Sequence, residues 1–333
     1  MKAGYWGVLW REFSKNRLAL AGLVIVISLI LLALCAPLIA NNKPYIYITE
    51  GKVYLPLFYD IITNGKEYAE LKGTDLSKEK FTGFKLFPPV AYSYSEYDLD
   101  SIVVPPSRKH LMGTDEQGRD LLARMIYGSR VSIFIGFIAV IIYVAIGIII
   151  GSIAGYYGGW IDMVISRIIE VIMCFPTFFL ILTILALWGP SLASVMLVIG
   201  ITSWPGIARI VRGEFLKLRE MDFVVASQAV GAADRWIIFR HILPNALAPV
   251  LVSATFGIAS TILIESSLSF LGFGVQPPTP SWGDILSQSR DFMDFAWWLT
   301  FIPGFAIFIT ITAYNLVGDA LQDAMNPKSL SGK

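Results

Sequence analysis

Side chains able to do covalent or acid–base chemistry are sparse in this chain. His110 and His241 are its only histidines, Cys35 and Cys174 its only cysteines, and Glu265 is a carboxylate in an otherwise apolar stretch beside Ser266, Ser267 and Ser269. A zinc site needs three or four ligands brought together, a metalloprotease an HExxH pair, an acyl-transfer enzyme a GxSxG elbow, and a nucleotide site a GxxxxGK[ST] loop. None of these patterns occurs in the sequence. The cysteines lack CxxC spacing and read as small core residues. Glu265 carries two readings, a carboxylate linked to a substrate or gate, or a polar clamp between helices satisfied by the neighbouring hydroxyls. Asp115, Arg119 and Asp120, within GTDEQGRD, are spaced to pair with one another and to cap the start of a helix.

The elements that must position these residues are those of a membrane. Of 333 residues, 55% are hydrophobic and 15% charged, with a mean hydropathy of +0.64, outside the range of an ordinary soluble enzyme. A span needs about 20 consecutive apolar residues. Charge-free windows of that order cover 18–40, 131–159, 171–208, 242–264 and 295–318, and the long third window divides at the Gly-Pro turn of WGPS, residues 188–191. Six spans follow. The first could pass for a signal peptide, and LALC, residues 32–35, for a lipoprotein box. Its length and Leu34 before the cysteine instead predict a retained helix.

Basic residues set the orientation. Lys2, Arg11, Lys15 and Arg17 precede the first span against the single acid Glu12, placing the N-terminus inside. Alternation then puts 41–130 outside, 157–167 inside, 188–191 outside, 209–241 inside, 266–297 outside and the C-terminus inside. The 209–241 segment, with Arg209, Arg212, Lys217, Arg219, Arg235 and Arg240, agrees with this, as does 266–297 with one basic residue, Arg290. His110 and His241 fall on opposite sides and cannot share a metal. The net charge of +1, with no basic run carrying interleaved aromatics, gives no support to a nucleic-acid partner. The expected organisation is a cytoplasmic segment 1–17, a first helix 18–40, an external insertion and lead-in 41–130, a five-helix core 131–318 carrying a cytoplasmic loop 209–245, and a tail 319–333.

Two regions stand apart from the spans. YIYITEGKVYLPLF, residues 45–58, alternates β-prone residues around Glu50-Gly51 and predicts a hairpin in a small external subdomain. It reads as a packed cap or as a docking surface. ASQAVGAADRWIIFRHILPNAL, residues 226–247, lies inside. Asp222 suits a helix start, Phe223, Ala226, Ser227 and Val230 repeat at i, i+3, i+4 and i+7, and Gly231 suits a left-handed stop. Asp234 begins a second helix through Arg235 to Leu243, which Pro244 ends or bends. The small face of such a hairpin admits a close partner, whose push the joint at Pro244 would pass to the fifth span. The alternative is an amphipathic helix resting on lipid headgroups.

These residues resemble the permease subunits of ATP-binding-cassette importers, whose cytoplasmic signature is Glu-Ala-Ala, three residues, Gly, nine residues, Ile-x-Leu-Pro. Ala226, Gly231, Leu243 and Pro244 match, while Val225, Ser227 and His241 depart from the glutamate, second alanine and isoleucine. RLALAGLVIVISLILLALCAPLIA, GTDEQGRDLLARMIYGSRVS, SLSFLGFGVQPPTPSWGDIL and GDALQDAMNP are similar to the second-subunit oligopeptide, dipeptide and nickel permeases. IANNKPYIYITEGKVYLPLF, residues 39–58, looks like the short-peptide and microcin C subgroup with an enlarged external insertion.

The resemblance implies an all-α polytopic protein of the type I importer permease fold, in the cell inner membrane, working with a second homologous permease, two ATPases and an external solute-binding protein. ATP and Mg would be bound by the ATPases and no cofactor by this chain, which would itself catalyse nothing. It implies that Asp222, Val225, Ala226, Ser227, Gly231, Ala232, Asp234, Arg235, Leu243 and Pro244 form the ATPase-coupling surface. Residues 113–120 would then cap and steer the second helix or touch the binding protein.

LGFG, residues 271–274, followed by Pro277-Pro278 breaks the chain after the fifth span. Glu265, Phe270, Gly272 and Trp282 mark that stretch as a re-entrant element near the gate, or a plain turn. Gly136, Gly147, Gly151 and Gly155 predict close packing of the second helix. Peptides are the expected cargo, with nickel or oligosaccharides, or an autonomous secondary transporter, as the alternatives.

Overall fold

The computed structural model describes residues 5–49, 52–63, 68 and 84–325. The expected hairpin turn at Glu50-Gly51 and the Asn326-Pro327 end of the last motif lie outside the described residues.

Apolar composition and length produce the helices. They are α1 (Tyr5–Phe13), α2 (Arg17–Ile39), α3 (Pro56–Thr63), α4 (Leu121–Tyr157), α5 (Gly159–Met173), α6 (Thr177–Trp188), α7 (Leu192–Leu218), α8 (Asp222–Ala229), α9 (Asp234–Trp236), α10 (Leu243–Phe270), α11 (Trp282–Gln288) and α12 (Trp297–Met325). Among the described residues, five helical stretches are long and apolar enough to cross a membrane: α2, α4, α7, the run Asp234–Phe270 and α12. The pair α5 and α6, bent by 80° between them, makes a sixth.

Several of these depart from the sequence-based boundaries. The third crossing starts at Gly159, and the residues expected as an inside loop, 157–167, are mostly helical. Pro176, which lacks an N–H and fixes its own φ, breaks the crossing, leaving α6 only 12 residues long. At 1.5 Å per residue α6 reaches about 18 Å, short of a hydrocarbon core of about 30 Å, so it needs α5 to complete a span. The second crossing starts at Leu121 rather than near 131, because Asp120 accepts the N–H of Ala123 at 2.8 Å and caps the helix there.

The chain divides into two compact units. One takes in the described residues of Met1–Val26, Phe134–Leu268 and Phe308–Lys333. Its packing rests on glycines: a Cβ at Gly147 would stand 2.6 Å from Ile207 Cβ, at Gly151 2.5 Å from the Ala208 carbonyl, and at Gly155 2.5 Å from Phe215 Cβ. Three glycines at four-residue spacing therefore bring α4 against α7, the close packing that the sequence predicted for this helix without naming its partner. Leu9 and Phe13 of α1 pack on Ala19, Ala320 and Ala324.

The second unit, Ile27–Ile133 with Ser269–Ile307, holds the insertion. Three antiparallel strands, β1 (Ile46–Thr49), β2 (Lys52–Tyr54) and β3 (Phe84–Leu86), lie in the order β2-β1-β3, with Tyr47 opposite Tyr54 and Lys85. The hairpin is thus present but shorter than the 45–58 stretch: Pro56 starts α3, where a missing N–H costs nothing. Cys174, at the α5–α6 bend, is exposed rather than in the core, and Cys35 is half-buried; both are free thiols.

Candidate functional site

The hairpin between α7 and α10 is the first candidate. Asp222 opens α8, Ser227 Oγ donates to the Phe223 carbonyl at 2.8 Å, and Gly231 follows with φ +82°. The Gly231 N–H bonds the Gln228 carbonyl at 2.9 Å and the Ala232 N–H that of Ser227 at 3.1 Å, which closes the helix end. A Cβ at Gly231 would meet nothing within 4 Å, so glycine is required by conformation and not by space.

The face expected to be covered is open. Val224 is the buried residue of α8, whereas Phe223, Val225, Ala226 and Val230 are exposed, Val230 by 89%. Across the turn Trp236 and Phe239 are exposed as well, while Ile237 and Ile242 are buried. Asp234 and Arg235 are exposed; Ala232 and Leu243 are half-buried.

The second arm does not stop at Pro244. Asp234 starts one continuous helical stretch to Phe270, with π-type hydrogen bonding over Ile237–Ile242. Leu243 N–H reaches back five residues to the Ile238 carbonyl, and Asn245 Nδ2 donates to the His241 carbonyl at 2.7 Å. A proline lacks an N–H and crowds the carbonyl four residues back, and the wider π register ahead of Pro244 relieves that conflict without breaking the helix. The hairpin's second arm and the fifth crossing are therefore one continuous helix.

Three contacts that the sequence did not single out anchor the hairpin's surroundings. Tyr156 Oη, at the end of α4, donates to Asp234 Oδ1 at 2.7 Å. Arg219 Nη1 lies 3.3 Å from both the Gly155 and Tyr156 carbonyls, placing a cation on the C-terminal end of α4. Arg212 is paired with Asp162, its Nη2 2.7 Å from Oδ2, which ties α7 to α5. Only the wide separation in sequence hid these pairs.

The second candidate is a buried ionic cluster in the other unit. Asp115, Arg119 and Arg124 are at most 1% exposed. Arg119 Nε donates to Asp115 Oδ2 at 2.7 Å, Arg124 pairs with the same oxygen, and Arg124 Nη2 meets Asp284 Oδ2 at 2.8 Å. Gln288 bridges, accepting from Arg124 Nη1 at 2.8 Å and donating to Asp284 at 3.1 Å. Burial raises the Asp284 carboxyl above its ordinary range against the opposing pull of Arg124. Asp120 pairs not with Arg119 but with His110, at 2.9 Å. Two carboxylates and two guanidiniums balance, so GTDEQGRD builds an internal clasp.

Trp282, 1% exposed, opens α11 and donates Nε1 to the Met125 carbonyl at 3.1 Å. Phe270 is half-buried under the Arg290 guanidinium, 4.0 Å from its ring centre. Gly272, φ +87°, stops α10, and Gly274 packs where a Cβ would lie 2.4 Å from Ser269 Cα. Glu265 is fully buried, and the hydroxyls of Ser266 and Ser267 donate to the carbonyls of Ile262 and Leu263, both at 2.8 Å. Among the described residues no three His, Cys, Asp or Glu side chains gather as a metal site.

A set of apolar crossings, with an exposed helical hairpin continuous with one of them, defines a multi-pass membrane protein. The chain belongs to the family of binding-protein-dependent transport system inner membrane components, whose pattern matches residues 147–330. Residues 4–56 match the N-terminal transmembrane domain of oligopeptide transport permease C. It is 37% identical to the dipeptide transport system permease protein DppC of Alkalihalophilus pseudofirmus over 98% of this chain and 91% of that one. It is 40% identical to the glutathione transport system permease protein GsiD of Pectobacterium atrosepticum, over 73% of this chain and 80% of that one. Among solved structures, an inward-facing crystal form of the MetNI methionine ABC transporter shares the fold, with a TM-score of 0.51 and 18% identity over 62% of this chain and 98% of that one.

Proposed function

We propose that this chain is one of two permease subunits of an ATP-driven importer of short peptides, with both termini on the cytoplasmic side of the cell membrane. The observation that carries the reading is the hairpin: exposed apolar residues on α8, a glycine-closed turn and an unbroken helix from Asp234 into the fifth crossing. In this reading residues 222–244 seat on a partner ATPase, which binds ATP and Mg. Closure of the ATPase pair moves α8 as a lever on α10 and switches the two permeases between inward- and outward-open forms. An external solute-binding protein delivers the cargo. The family glutamate is replaced by Val225, so the seat rests on apolar contact, from Phe223, Val225 and Val230, more than on a polar bond. The peptide cargo follows from relatives that carry dipeptide and glutathione in their names.

The test is uptake of a labelled dipeptide into proteoliposomes holding the complete complex. ATP-dependent uptake that needs the binding protein supports the reading, and uptake by this chain alone without ATP overturns it.

A further inference from the structure

The unit that carries the insertion encloses a cavity of about 430 Å³, remote in sequence from the coupling hairpin. Tyr92, Glu96, Asp98, Lys109, His110 and Asp120 line it. The cavity therefore has both signs of charge on its wall and a volume in the range of small-molecule sites.

His110 is the focus. It is 2% exposed, its Nδ1 faces Asp120 Oδ2 at 2.9 Å, and Tyr92 lies over it with ring centres 4.8 Å apart. Nε2 is buried with no hydrogen-bond partner among the described residues. A carboxylate on Nδ1 selects the tautomer whose Nε2 carries a lone pair, so the buried atom is an acceptor awaiting a donor. Leaving such an atom buried without a bond is unfavourable, and a bound N–H group removes that cost.

The charges supply the rest of a pattern. Lys109 Nζ is 3.1 Å from Asp98 Oδ2, and that contact, with the Ser101 hydroxyl first, holds the Asp98 carboxyl below its ordinary range. Glu96 accepts the Ser93 N–H at a long 3.4 Å. Burial raises the Tyr92 hydroxyl, which also feels Lys109, Asp120, Glu96 and Asp98 together, so these charges converge on one small volume.

We propose that this cavity binds a short zwitterionic peptide, its ammonium held by His110 Nε2 and the carboxylates of the wall and its carboxylate by Lys109. The ligand class rests on the peptide-importer reading; the cavity and its buried acceptor do not. The site is a holding point for cargo outside the crossings, in addition to the path through them.

The two-histidine composition makes the test direct. The full chain, ¹⁵N-labelled at histidine and held in nanodiscs, is titrated with Ala-Ala and with N-acetyl-Ala-Ala while the imidazole signals are followed, His241 serving as the internal control. The expected result is a saturable shift of the His110 signals by Ala-Ala and at least about tenfold weaker binding of the acetylated peptide, with His241 still. Lys109→Gln should weaken Ala-Ala about tenfold while leaving alanyl-alanine amide unchanged. An unmoved His110 at saturating Ala-Ala, equal affinity for the two peptides, or equal movement of His241 overturns the site. The titration uses neither ATP nor partners, so failure of the importer reading shows elsewhere, in ATP-driven uptake.

Discussion

At the scale of the residue, Asp115 and Gly231 do opposite kinds of work. Asp115 is the shared acceptor of two buried arginines, and its removal leaves cations in a dry site. Breaking such a pair costs about 3–5 kcal/mol. Asp115→Ala is therefore expected to lower the thermal midpoint of the detergent-solubilised protein sharply, read by intrinsic tryptophan fluorescence, and an unchanged midpoint would show that the clasp is screened by water. A Cβ added at Gly231 would touch nothing, so only its φ of +82° resists substitution. A β-branched residue there is strained by roughly 1–2 kcal/mol, while asparagine tolerates the left-handed region. Gly231→Val should insert normally yet lose peptide uptake, and Gly231→Asn should keep most of it; equal uptake by both would refute the turn's role. Gly231 was legible in the sequence because a helix stop has a local signature. Arg124 was not, since its partners Asp284 and Gln288 lie some 160 residues away.

Elements differ in how much of them a sequence announces. The glycine spacing on α4 foretold that this helix packs closely, but not that α7 is the partner of Gly147, Gly151 and Gly155. A leucine at Gly151 would be driven into the Ala208 carbonyl, so Gly151→Leu is expected to separate α4 from α7 and abolish assembly of the complex, read by size-exclusion chromatography. Proline misled in one place and informed in another. Pro244 was expected to end or bend the second arm, yet the π register from Ile237 to Ile242 carries the helix through it. Pro176 was hidden inside one long apolar window and breaks the third crossing by 80°. Propensity states that a proline conflicts with the ladder; packing decides whether the ladder widens or breaks. The hairpin itself is latched by Tyr156 to Asp234, a bond across 78 positions. Tyr156→Phe removes that bond and little volume. It should raise hydrogen exchange over 222–236 and reduce the uptake gained per ATP hydrolysed, whereas unchanged exchange would separate Tyr156 from the lever.

For the whole molecule, hydropathy foretold six crossings and the family motifs foretold the permease fold, both now present in the helices and in the relatives. The short insertion sheet was half visible: β1 and β2 alternate locally, whereas β3 pairs with β1 across a long separation that no local pattern records. The apolar residues exposed on α8 and at the turn after it, with Val230 open to solvent by 89%, form the surface that the proposed lever would use. That face either seats on an ATPase or lies on lipid, and position 225, at the site of the lost family glutamate, distinguishes the two. The measurement is photo-crosslinking from a photoreactive residue at position 225, in native membranes, with the adduct identified by mass spectrometry. The lever account predicts an adduct with an ATP-binding subunit whose yield changes when ATP is trapped. An adduct with lipid alone would contradict it.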